Sequence, residues 1–415
     1  MLTREHLGDI YRPQGPKAIV LGLPWTSGGS QSVTQAVDLS LPIRGIRVVF
    51  RGRVTVGTAA FTTVNPEGLL NLISNVFIQG TNARQQGNMT LWNCDLATAF
   101  VYQHMFGVRG GAYASVVTAA PAFPFQDVIV PAPTSPFPSA QTAAQAAGAA
   151  SATNVYFPGT VNTFDFRIIC DFPFHPHGNN AFGKEPLTIP QFLVRNEEWK
   201  DSLQIQLAFG AQAGAGAIGV LGTSAGTTTV AFSGYAGVGT TPVVDLYSLP
   251  VLMGLTLKDQ ILPGVLSRVA TQISGGVLTA AGSNIPLLNQ QKQPTPRTLF
   301  KQGTATVPNA FTTLNDNNVS TLGIQLGGNR NVRNRVDIFT HKLQQADIYG
   351  RDPIQGYTLM DFQEQGNPDS AYPGQDIGDG ATFQLVGDVA GLAASAALIL
   401  QEQILHQPTG ELMNY

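Results

Sequence analysis

Two glycine-rich motifs have the spacing of catalytic or nucleotide-binding loops. Residues 222–226 read Gly-Thr-Ser-Ala-Gly and match the G-x-S-x-G pattern, which presents a nucleophilic serine on a turn between a strand and a helix. Residues 214–219 match the G-x-G-x-x-G pattern of dinucleotide-binding turns, which also begins a helix. No helical pattern follows either motif, and Asp245 lies too far along the chain to hold a ribose. We therefore interpret both motifs as glycine-rich loops.

Two histidines and two glutamates belong to residue types that suit metal binding or acid–base chemistry. His175 and His177 flank a proline, and no third ligand stands nearby at a metal-ligand spacing. Glu197 and Glu198 are adjacent, so on a strand their side chains would point to opposite sides, whereas glycosidase carboxylates must converge. We interpret the histidines as part of a loop and the glutamates as a solvated turn before Trp199.

Three aspartates and two cysteines complete the candidates for a chemical site. Asp369, Asp376 and Asp379 lie in a loop rich in glycine and proline, without the spacing of a known calcium-binding loop; a bound Ca²⁺ is the alternative. Cys94 and Cys170 are too few for a disulfide framework, and we interpret them as buried free thiols, with a single bridge as the alternative. The sequence therefore predicts no catalytic residue, no cofactor-binding residue and no metal ligand.

Three arginines share one face of a predicted strand. Arg47, Arg51 and Arg53 lie at even spacing within seven residues, and side chains at even spacing on a strand point to the same side. Guanidinium groups pair with carboxylates through two parallel hydrogen bonds, so one interpretation is contact with carboxylates of a neighbouring chain. An exposed polar strand face is the other interpretation, and the sequence does not decide between them.

The composition excludes several classes of protein. Charged residues make up 12% of the 415 residues and hydrophobic residues 43%, with 45 glycines and 27 prolines. A coiled coil needs many more charged residues, and a charge-driven disordered chain would contain fewer apolar ones. The net charge of −3 gives no electrostatic basis for capturing nucleic acid. These values favour a β-rich globular protein, much of whose weakly charged surface contacts other protein.

The chain also lacks the patterns of secretion and of membrane insertion. Residues 1–26 do not have the layout of a signal peptide, and the apolar run at residues 389–400 is too short to span a bilayer. We expect a protein that is made in a cytoplasm and is not itself inserted in a bilayer.

Strand patterns dominate the chain and are interrupted by two helical ones. The predicted strands lie at residues 45–56, 72–79, 162–174 and 202–209, and an apolar segment follows at residues 243–257. The predicted helices lie at residues 91–106 and 336–349, each stopped by a glycine. The stretch at residues 108–159 has no period and is expected to be a long insertion.

The second half of the chain repeats the first. Residues 60–65 (Ala-Phe-Thr-Thr-Val-Asn) recur as residues 310–315 (Ala-Phe-Thr-Thr-Leu-Asn), at an offset of 250. Residues 77–80 recur within residues 323–327 at an offset of 246, and the glycines that end the two predicted helices are 243 residues apart. Ordered matches with slowly shrinking offsets indicate an internal duplication. A unit of roughly 200 residues is far too long for a solenoid repeat, so the duplication predicts two similar β domains.

This layout resembles the major capsid proteins of the double jelly-roll lineage, which occur in tailless icosahedral bacteriophages and in adenovirus. The resemblance is carried by residues 47–56, 65–68, 73–80, 164–174, 203–210 and 398–403, together with the repeat counterparts of the first five. It implies a mainly β chain of two tandem eight-stranded jelly rolls, each with a short helix. It also implies that three chains form one pseudo-hexagonal capsomer, so that the main partner is the chain itself.

The resemblance divides the chain into three parts. Residues 1–30 would be an N-terminal arm, of which residues 2–23 would reach the capsid interior, where many members enclose a lipid membrane. Residues 31–235 would be the first jelly roll, with a surface insertion at residues 108–160, and residues 236–415 the second. The region between the rolls is longer than a simple linker, which leaves this boundary open.

The expected function is structural. The chain would be a major capsid protein of a virion, with no enzymatic activity and no sequence-specific contact to nucleic acid. Minor capsid and vertex proteins would be further partners, and an internal membrane would meet the N-terminal arm. Two alternatives stay open: an extracellular two-domain β-sandwich protein that binds or processes carbohydrate, and a spike or receptor-binding protein of a phage. A spike would more often show repeats of tens of residues.

Overall fold

The chain is built mainly of β-strands. In the computed structural model the described residues are 11–25, 32–82, 87–105, 112–118, 161–174, 192–199, 202–210, 221–224, 226–234, 239–253, 265–277, 284–286, 297–307, 310–316, 318–326, 330–349, 354–361, 383–389 and 395–407.

The elements of the first half are β1 (Tyr11–Pro13), β2 (Lys17–Pro24), β3 (Ser32–Ala36), β4 (Ile43–Gly57), β5 (Phe61–Val64), the 3-10 helix η1 (Gly68–Leu72), β6 (Ile73–Asn82), β7 (Gly87–Cys94), α1 (Leu96–Met105), β8 (Ala112–Thr118), β9 (Asn162–Pro173), α2 (Asn196–Trp199), β10 (Gln204–Phe209), β11 (Gly222–Ser224), β12 (Thr229–Ser233) and β13 (Val243–Met253). The elements of the second half are β14 (Val265–Val277), β15 (Asn284–Pro286), β16 (Arg297–Val307), β17 (Ala310–Leu314), β18 (Val319–Leu326), β19 (Arg330–Asp337), α3 (Ile338–Tyr349), β20 (Tyr357–Asp361), β21 (Phe383–Val389) and β22 (Ser395–Gln407).

Eight strands of the first half form two antiparallel sets of four neighbouring strands, one in each of two sheets. One sheet has the order β2-β13-β4-β9, and the other has the order β3-β10-β6-β7. Numbered one to eight along the chain, these strands fall in the orders 1-8-3-6 and 2-7-4-5. This alternation between two sheets is the strand order of a jelly roll.

The second half repeats this order strand for strand. Its sheets are β14-β22-β16-β20 and β15-β21-β18-β19, again antiparallel throughout. The helix α1 joins the fifth and sixth strands of the first roll, and α3 joins the same two strands of the second. The chain is therefore a double jelly roll, and the prediction of two tandem eight-stranded rolls, each with a short helix, is confirmed.

The last strand of the first roll lies beyond the boundary expected at residues 235 and 236. Within β13, Val244 lies opposite Phe50 and Leu246 lies opposite Val48, both in β4. The backbone of β13 is thus hydrogen-bonded to the centre of the first roll, so the sheet of that roll continues to Met253.

The sequence of β4 shows why these strands form. Ile46, Val48 and Phe50 lie at alternate positions of the strand and are buried at the centre of the first roll. Burying one face of a strand in this way removes apolar surface from water, which is the main favourable term in folding. The opposite face of β4 carries Arg47 and Arg51, which are partly exposed.

Aromatic side chains fill the core of the first roll and find partners for their polar atoms. Trp25 donates its indole N–H to the carbonyl oxygen of Leu72 at 3.1 Å. Trp92 donates to the carbonyl oxygen of Pro173 at 2.9 Å and meets the ring of Phe172 edge-on at 5.3 Å between centroids. Edge-to-face contacts of this kind add to the stabilisation that comes from burial alone.

The two long helices begin with the same cap. In α1, the carboxylate of Asp95 accepts hydrogen bonds from the backbone N–H and the hydroxyl of Thr98. In α3, the carboxylate of Asp337 accepts the equivalent two bonds from Thr340. These caps satisfy donors that lack partners inside the helix. The predicted helix at residues 91–106 is therefore too long at its start, because residues up to Cys94 belong to β7.

Parts of the expected surface insertion and of the expected N-terminal arm pair with the first sheet. β8 lies within the expected insertion and pairs with β9, while residues 119–160 lie outside the described residues. β1 and β2 lie within the expected arm and pair with β13 along its length.

None of the helices in the described residues has the length and apolar character that a membrane-crossing helix needs.

Candidate functional site

The two rolls are joined by backbone pairing. β7 lies parallel to β14, with Trp92 opposite Ala270. Because of this pairing one nine-stranded sheet continues from the second roll into the first. Beside it, the backbone N–H of Asp95 donates to Oε1 of Gln272 at 2.9 Å. The candidate functional site of this molecule is therefore the junction between its two rolls, which we call the inter-roll junction and define by β7, β14 and the residues packed beside them.

A buried ion pair crosses the inter-roll junction. Glu67 lies in the turn before η1 in the first roll, and Lys301 lies on β16 in the second. The Lys301 Nζ lies 2.6 Å from Oε1 and 2.7 Å from Oε2 of the Glu67 carboxylate, and both side chains are excluded from solvent. The Tyr357 hydroxyl, from β20, donates to the same carboxylate. Two groups of the second roll therefore hold one acidic side chain of the first.

The surroundings of this pair are apolar and aromatic. The Lys301 ammonium lies 4.4 Å from the centre of the Phe311 ring, where the ring face attracts a cation. Burial raises the pKa of Glu67, Lys301 opposes that rise, and the nearby charge of Asp95 adds to it. Burial disfavours a charge unless opposite charges and hydrogen bonds replace water, so the carboxylate depends on Lys301 and Tyr357.

Apolar packing also runs through the inter-roll junction. Leu299 and Leu359, on neighbouring strands of the second roll, belong to the same buried cluster as Leu69 and Leu70 of η1 in the first. The strand β16 is buried on both faces from Arg297 to Gly303. Apolar side chains of both rolls are thus packed together as in the interior of a single domain, so the two rolls form one unit.

A second buried ion pair fixes α3 within the second roll. The Lys342 ammonium lies 2.7 Å from the Asp316 carboxylate and donates to the carbonyl oxygen of Ile354 at 2.9 Å. The other carboxylate oxygen accepts from the backbone N–H of Gly356, whose φ of +76° favours glycine. Burial lowers the pKa of Lys342, and Asp316 opposes that shift. These contacts join α3 to the turn that holds Asp316 and to the turn that holds Ile354 and Gly356.

The three arginines predicted on one strand face each have a carboxylate partner in the same chain. The pairs are Arg47 with Asp171 at 2.6 Å, Arg51 with Asp245 at 2.8 Å, and Arg53 with Asp165 at 2.6 Å. The carboxylates come from the strands on either side of β4, namely β9 and β13. The interpretation that these arginines contact carboxylates of a neighbouring chain is therefore corrected, because the two strands beside β4 already supply a carboxylate to each arginine.

The pair of Arg47 and Asp171 has the two-pronged geometry of strong guanidinium–carboxylate contacts. Arg47 donates from Nε and from Nη2 to the two carboxylate oxygens, at 2.6 and 2.8 Å. Burial raises the pKa of Asp171, and the hydrogen bonds from Arg47 oppose that rise. The same hydrogen bonds raise the pKa of Arg47.

The repeat counterpart of this arginine face lies on β16, in the inter-roll junction. Residues 47–51 (Arg-Val-Val-Phe-Arg) and residues 297–301 (Arg-Thr-Leu-Phe-Lys) match at an offset of 250, the same offset as residues 60–65 and 310–315. The face of β4 that carries Arg51 is partly exposed, whereas the face of β16 that carries Lys301 is buried against the first roll. Sequence reasoning missed Lys301, although this match was available to find it.

The glycine-rich motif at residues 222–226 forms part of a strand. β11 pairs with β5, with Gly222 opposite Val64 and Thr223 opposite Thr63. A Cβ at Gly222 would clash with the carbonyl oxygen of Thr63, so glycine is needed for this close approach. Ser224 thus ends a short strand and does not stand on a turn into a helix.

Of the other candidates for chemistry, only the two glutamates and the two cysteines lie within the described residues. Glu197 and Glu198 lie in α2, so the expectation of a turn there is replaced by one helical turn. Cys94 and Cys170 are buried free thiols, as predicted. The motif at residues 214–219, both histidines and the three aspartates of the predicted loop lie outside the described residues. In the part of the chain that the structure describes, no three His, Cys, Asp or Glu side chains lie close enough to hold a metal ion.

Solved structures share this arrangement of two rolls. No protein-family model matches the sequence, and no curated protein matches it. The crystal structure of the STIV MCP matches with a TM-score of 0.54 and 12% identity, over 95% of this chain and 96% of that one. A chain in the atomic structure of Sulfolobus Turreted Icosahedral Virus matches at 0.55 and 13%, over 95% and 90%. The Faustovirus major capsid protein matches at 0.52 and 7%, also over 95% and 90%. At these identities the matches show that the fold is shared.

Proposed function

We propose that this chain is a major capsid protein whose homotrimers form pseudo-hexagonal capsomers that tile an icosahedral shell. The observation that carries the proposal is the inter-roll junction, which locks two similar rolls into one unit through a shared sheet and a buried ion pair. Three such units present six rolls, which approximates a hexagon. The likeness to the Faustovirus major capsid protein over 95% of the chain supports this function.

The proposed role is structural and not enzymatic. The chain would act in the virion after synthesis in a host cytoplasm, with further copies of itself as its main partners. Minor capsid and vertex proteins would contact the edges of the capsomer, and no sequence-specific contact to nucleic acid is proposed. An internal lipid membrane, met by the N-terminal arm that the sequence predicts, would be a further partner.

We also propose a revised division of the chain. The first roll would extend from β2 to β13 and the second from β14 to β22, because the strand pairing of each roll is complete within those limits. The division would then fall between Met253 and Val265 in place of residues 235 and 236.

The solution mass of the purified chain tests the proposed assembly. Size exclusion with light scattering is expected to give a trimer of about 132 kDa, three times the 43.9 kDa of the chain, or larger shells that electron microscopy would show as icosahedral. Apolar contacts keep such a trimer intact in moderate salt, because salt screens charges and leaves hydrophobic burial in place. A monomer of 43.9 kDa at high protein concentration would contradict the proposal.

A further inference from the structure

Within the described residues, the duplication leaves two strand edges without a paired strand where their repeat counterparts have one. In the inter-roll junction β7 pairs with β14. The counterpart of β7 is β19, which is the fifth strand of its roll, and the counterpart of β14 is β2, which is the first strand of its roll. Among the described strands, β19 pairs only with β18, and β2 pairs only with β13. An unpaired strand edge is a ready template for pairing with another chain.

The counterpart of the junction residue Asp95 is identified by the helix caps. Asp95 caps α1 through Thr98, and Asp337 caps α3 through Thr340, at a common offset of 242. Asp95 is also the residue whose backbone N–H donates to Gln272 on β14, across the inter-roll junction. The start of α3 therefore corresponds to the start of α1, which in the inter-roll junction contacts the first strand of the other roll.

The same comparison identifies the residue of β2 that corresponds to Gln272. Val48 and Thr298 are counterparts at the offset of 250, and they lie opposite Leu246 and Gln401 respectively. These two residues are therefore counterparts on the eighth strands of the two rolls.

Leu246 in turn lies opposite Val20, and Gln401 lies opposite Thr271. The residue after Val20 is Leu21 and the residue after Thr271 is Gln272. Leu21 thus stands in the first roll where Gln272 stands in the second.

Exposed apolar side chains mark both of these places. Leu21 is 58% exposed, and on α3 Phe339 and Leu343 are 47% and 57% exposed. Their counterparts on α1 at the offset of 242 are Ala97 and Val101, which are buried. Large apolar side chains grouped on a surface mark contacts with other protein. The start of α3 therefore carries a pair of exposed apolar side chains, and the edge of β2 carries one.

We propose that β19 and the first two turns of α3 of one copy dock against β2 of a second copy, which repeats the inter-roll junction between chains. Phe339 and Leu343 would contact Leu21 of the next copy, and the two strands would pair in parallel as β7 and β14 do. The contact joins two different surfaces, so it is heterologous and closes only as a ring. This inference rests on the proposed function, since a closed ring of three copies contains six equivalent junctions.

Three single variants test the contact. Phe339→Asp removes the α3 surface, and Leu21→Asp removes the β2 surface. Val161→Asp is the matched control, because Val161 is also an exposed apolar residue, 53% exposed, but lies on neither surface. Light scattering is expected to give a trimer for the wild type and for Val161→Asp, and a monomer for each of the other two. Circular dichroism melting curves check that every variant is folded, and Leu343→Asp replaces Phe339→Asp if the latter does not fold.

Mixing the two interface variants gives the sharpest result. The Leu21→Asp chain keeps an intact α3 surface, and the Phe339→Asp chain keeps an intact β2 surface, so one productive contact forms. The mixture is expected to give a dimer of about 88 kDa, twice the 43.9 kDa of the chain, that grows no further. A wild-type trimer whose interface variants also remain trimeric would overturn this inference and leave the proposed function in place. Folded monomeric variants that do not combine would overturn the head-to-tail geometry. A monomeric wild type would overturn both proposals.

Discussion

Glu67 of the first roll and Lys301 of the second form an ion pair with no exposure to solvent, although they are separated by 234 positions in the sequence. A buried ion pair contributes less net stability than its short distance suggests, because both groups lose their hydration. It is nevertheless specific, since any other arrangement of the two rolls would leave one buried charge without a partner. We therefore regard this pair as the contact that fixes how the rolls sit together.

Removing one member of the pair is expected to be costly. Lys301→Met leaves the Glu67 carboxylate buried beside Tyr357 alone, and losses of about 3–5 kcal/mol in the free energy of unfolding are typical of such a change. Urea denaturation monitored by circular dichroism measures the loss. The exposed pair of Lys17 and Asp38, also 2.6 Å apart, provides the control: Lys17→Met is expected to cost at most about 1 kcal/mol.

The double variant Glu67→Leu/Lys301→Met separates a buried charge from a packing effect. Replacing both partners with apolar side chains is expected to recover most of the stability lost in Lys301→Met, since no unpaired charge remains. If the double variant were as unstable as Lys301→Met, the loss would come from the volume or shape of the side chains and not from their charge.

Lys342 gives the protein a pH dependence on the alkaline side. Burial lowers the pKa of Lys342 in the folded protein below the ordinary value of 10.5. At a pH between the lowered pKa and 10.5, the unfolded chain therefore binds more protons than the folded one. Stability from this group therefore increases as the pH rises from the lowered pKa towards 10.5. The free energy of unfolding of the wild type minus that of Lys342→Met is expected to increase with pH across this window. A constant difference would show that the folded-state pKa of Lys342 is not lowered.

Much of the fold could be predicted from local patterns, and most of the junction could not. The alternation in β4 is a local pattern, and the match between residues 60–65 and 310–315 is a direct comparison of two short segments; both correspond to paired strands in the structure. The predicted start of α1 is wrong because residues 91–94 (Leu-Trp-Asn-Cys) suit a strand or a helix equally; the cap formed by Asp95 is the signal that separates them. Nothing near Glu67 in the sequence points to a lysine in the other roll.

The two helix caps predict unequal effects from the same substitution. In a chain whose α3 start is not covered by a second copy, such as Leu21→Asp, Asp337→Ala removes the cap of an exposed helix start and is expected to cost about 1 kcal/mol. Asp95→Ala removes the same cap at a buried position next to the inter-roll junction, where the Thr98 hydroxyl would lose its partner away from water. Its cost is expected to be larger by about 1–3 kcal/mol, the usual penalty of a buried polar group left unsatisfied. Thermal unfolding of the two variants side by side measures this order, and equal costs would contradict it.

The two cysteines predict a reactivity that depends on folding. Burial raises the pKa of Cys170 well above its ordinary value, with smaller contributions from Asp171 and Cys94, so the reactive thiolate is disfavoured. Cys94 is likewise buried and free. A thiol reagent such as Ellman's reagent is expected to modify neither cysteine in the native protein and both in denaturant. Two equivalents of thiol in denaturant without reductant would exclude a bridge, whereas a value of zero would show that the cysteines pair. Fast reaction under native conditions would show instead that the core between β7 and β9 opens to solvent.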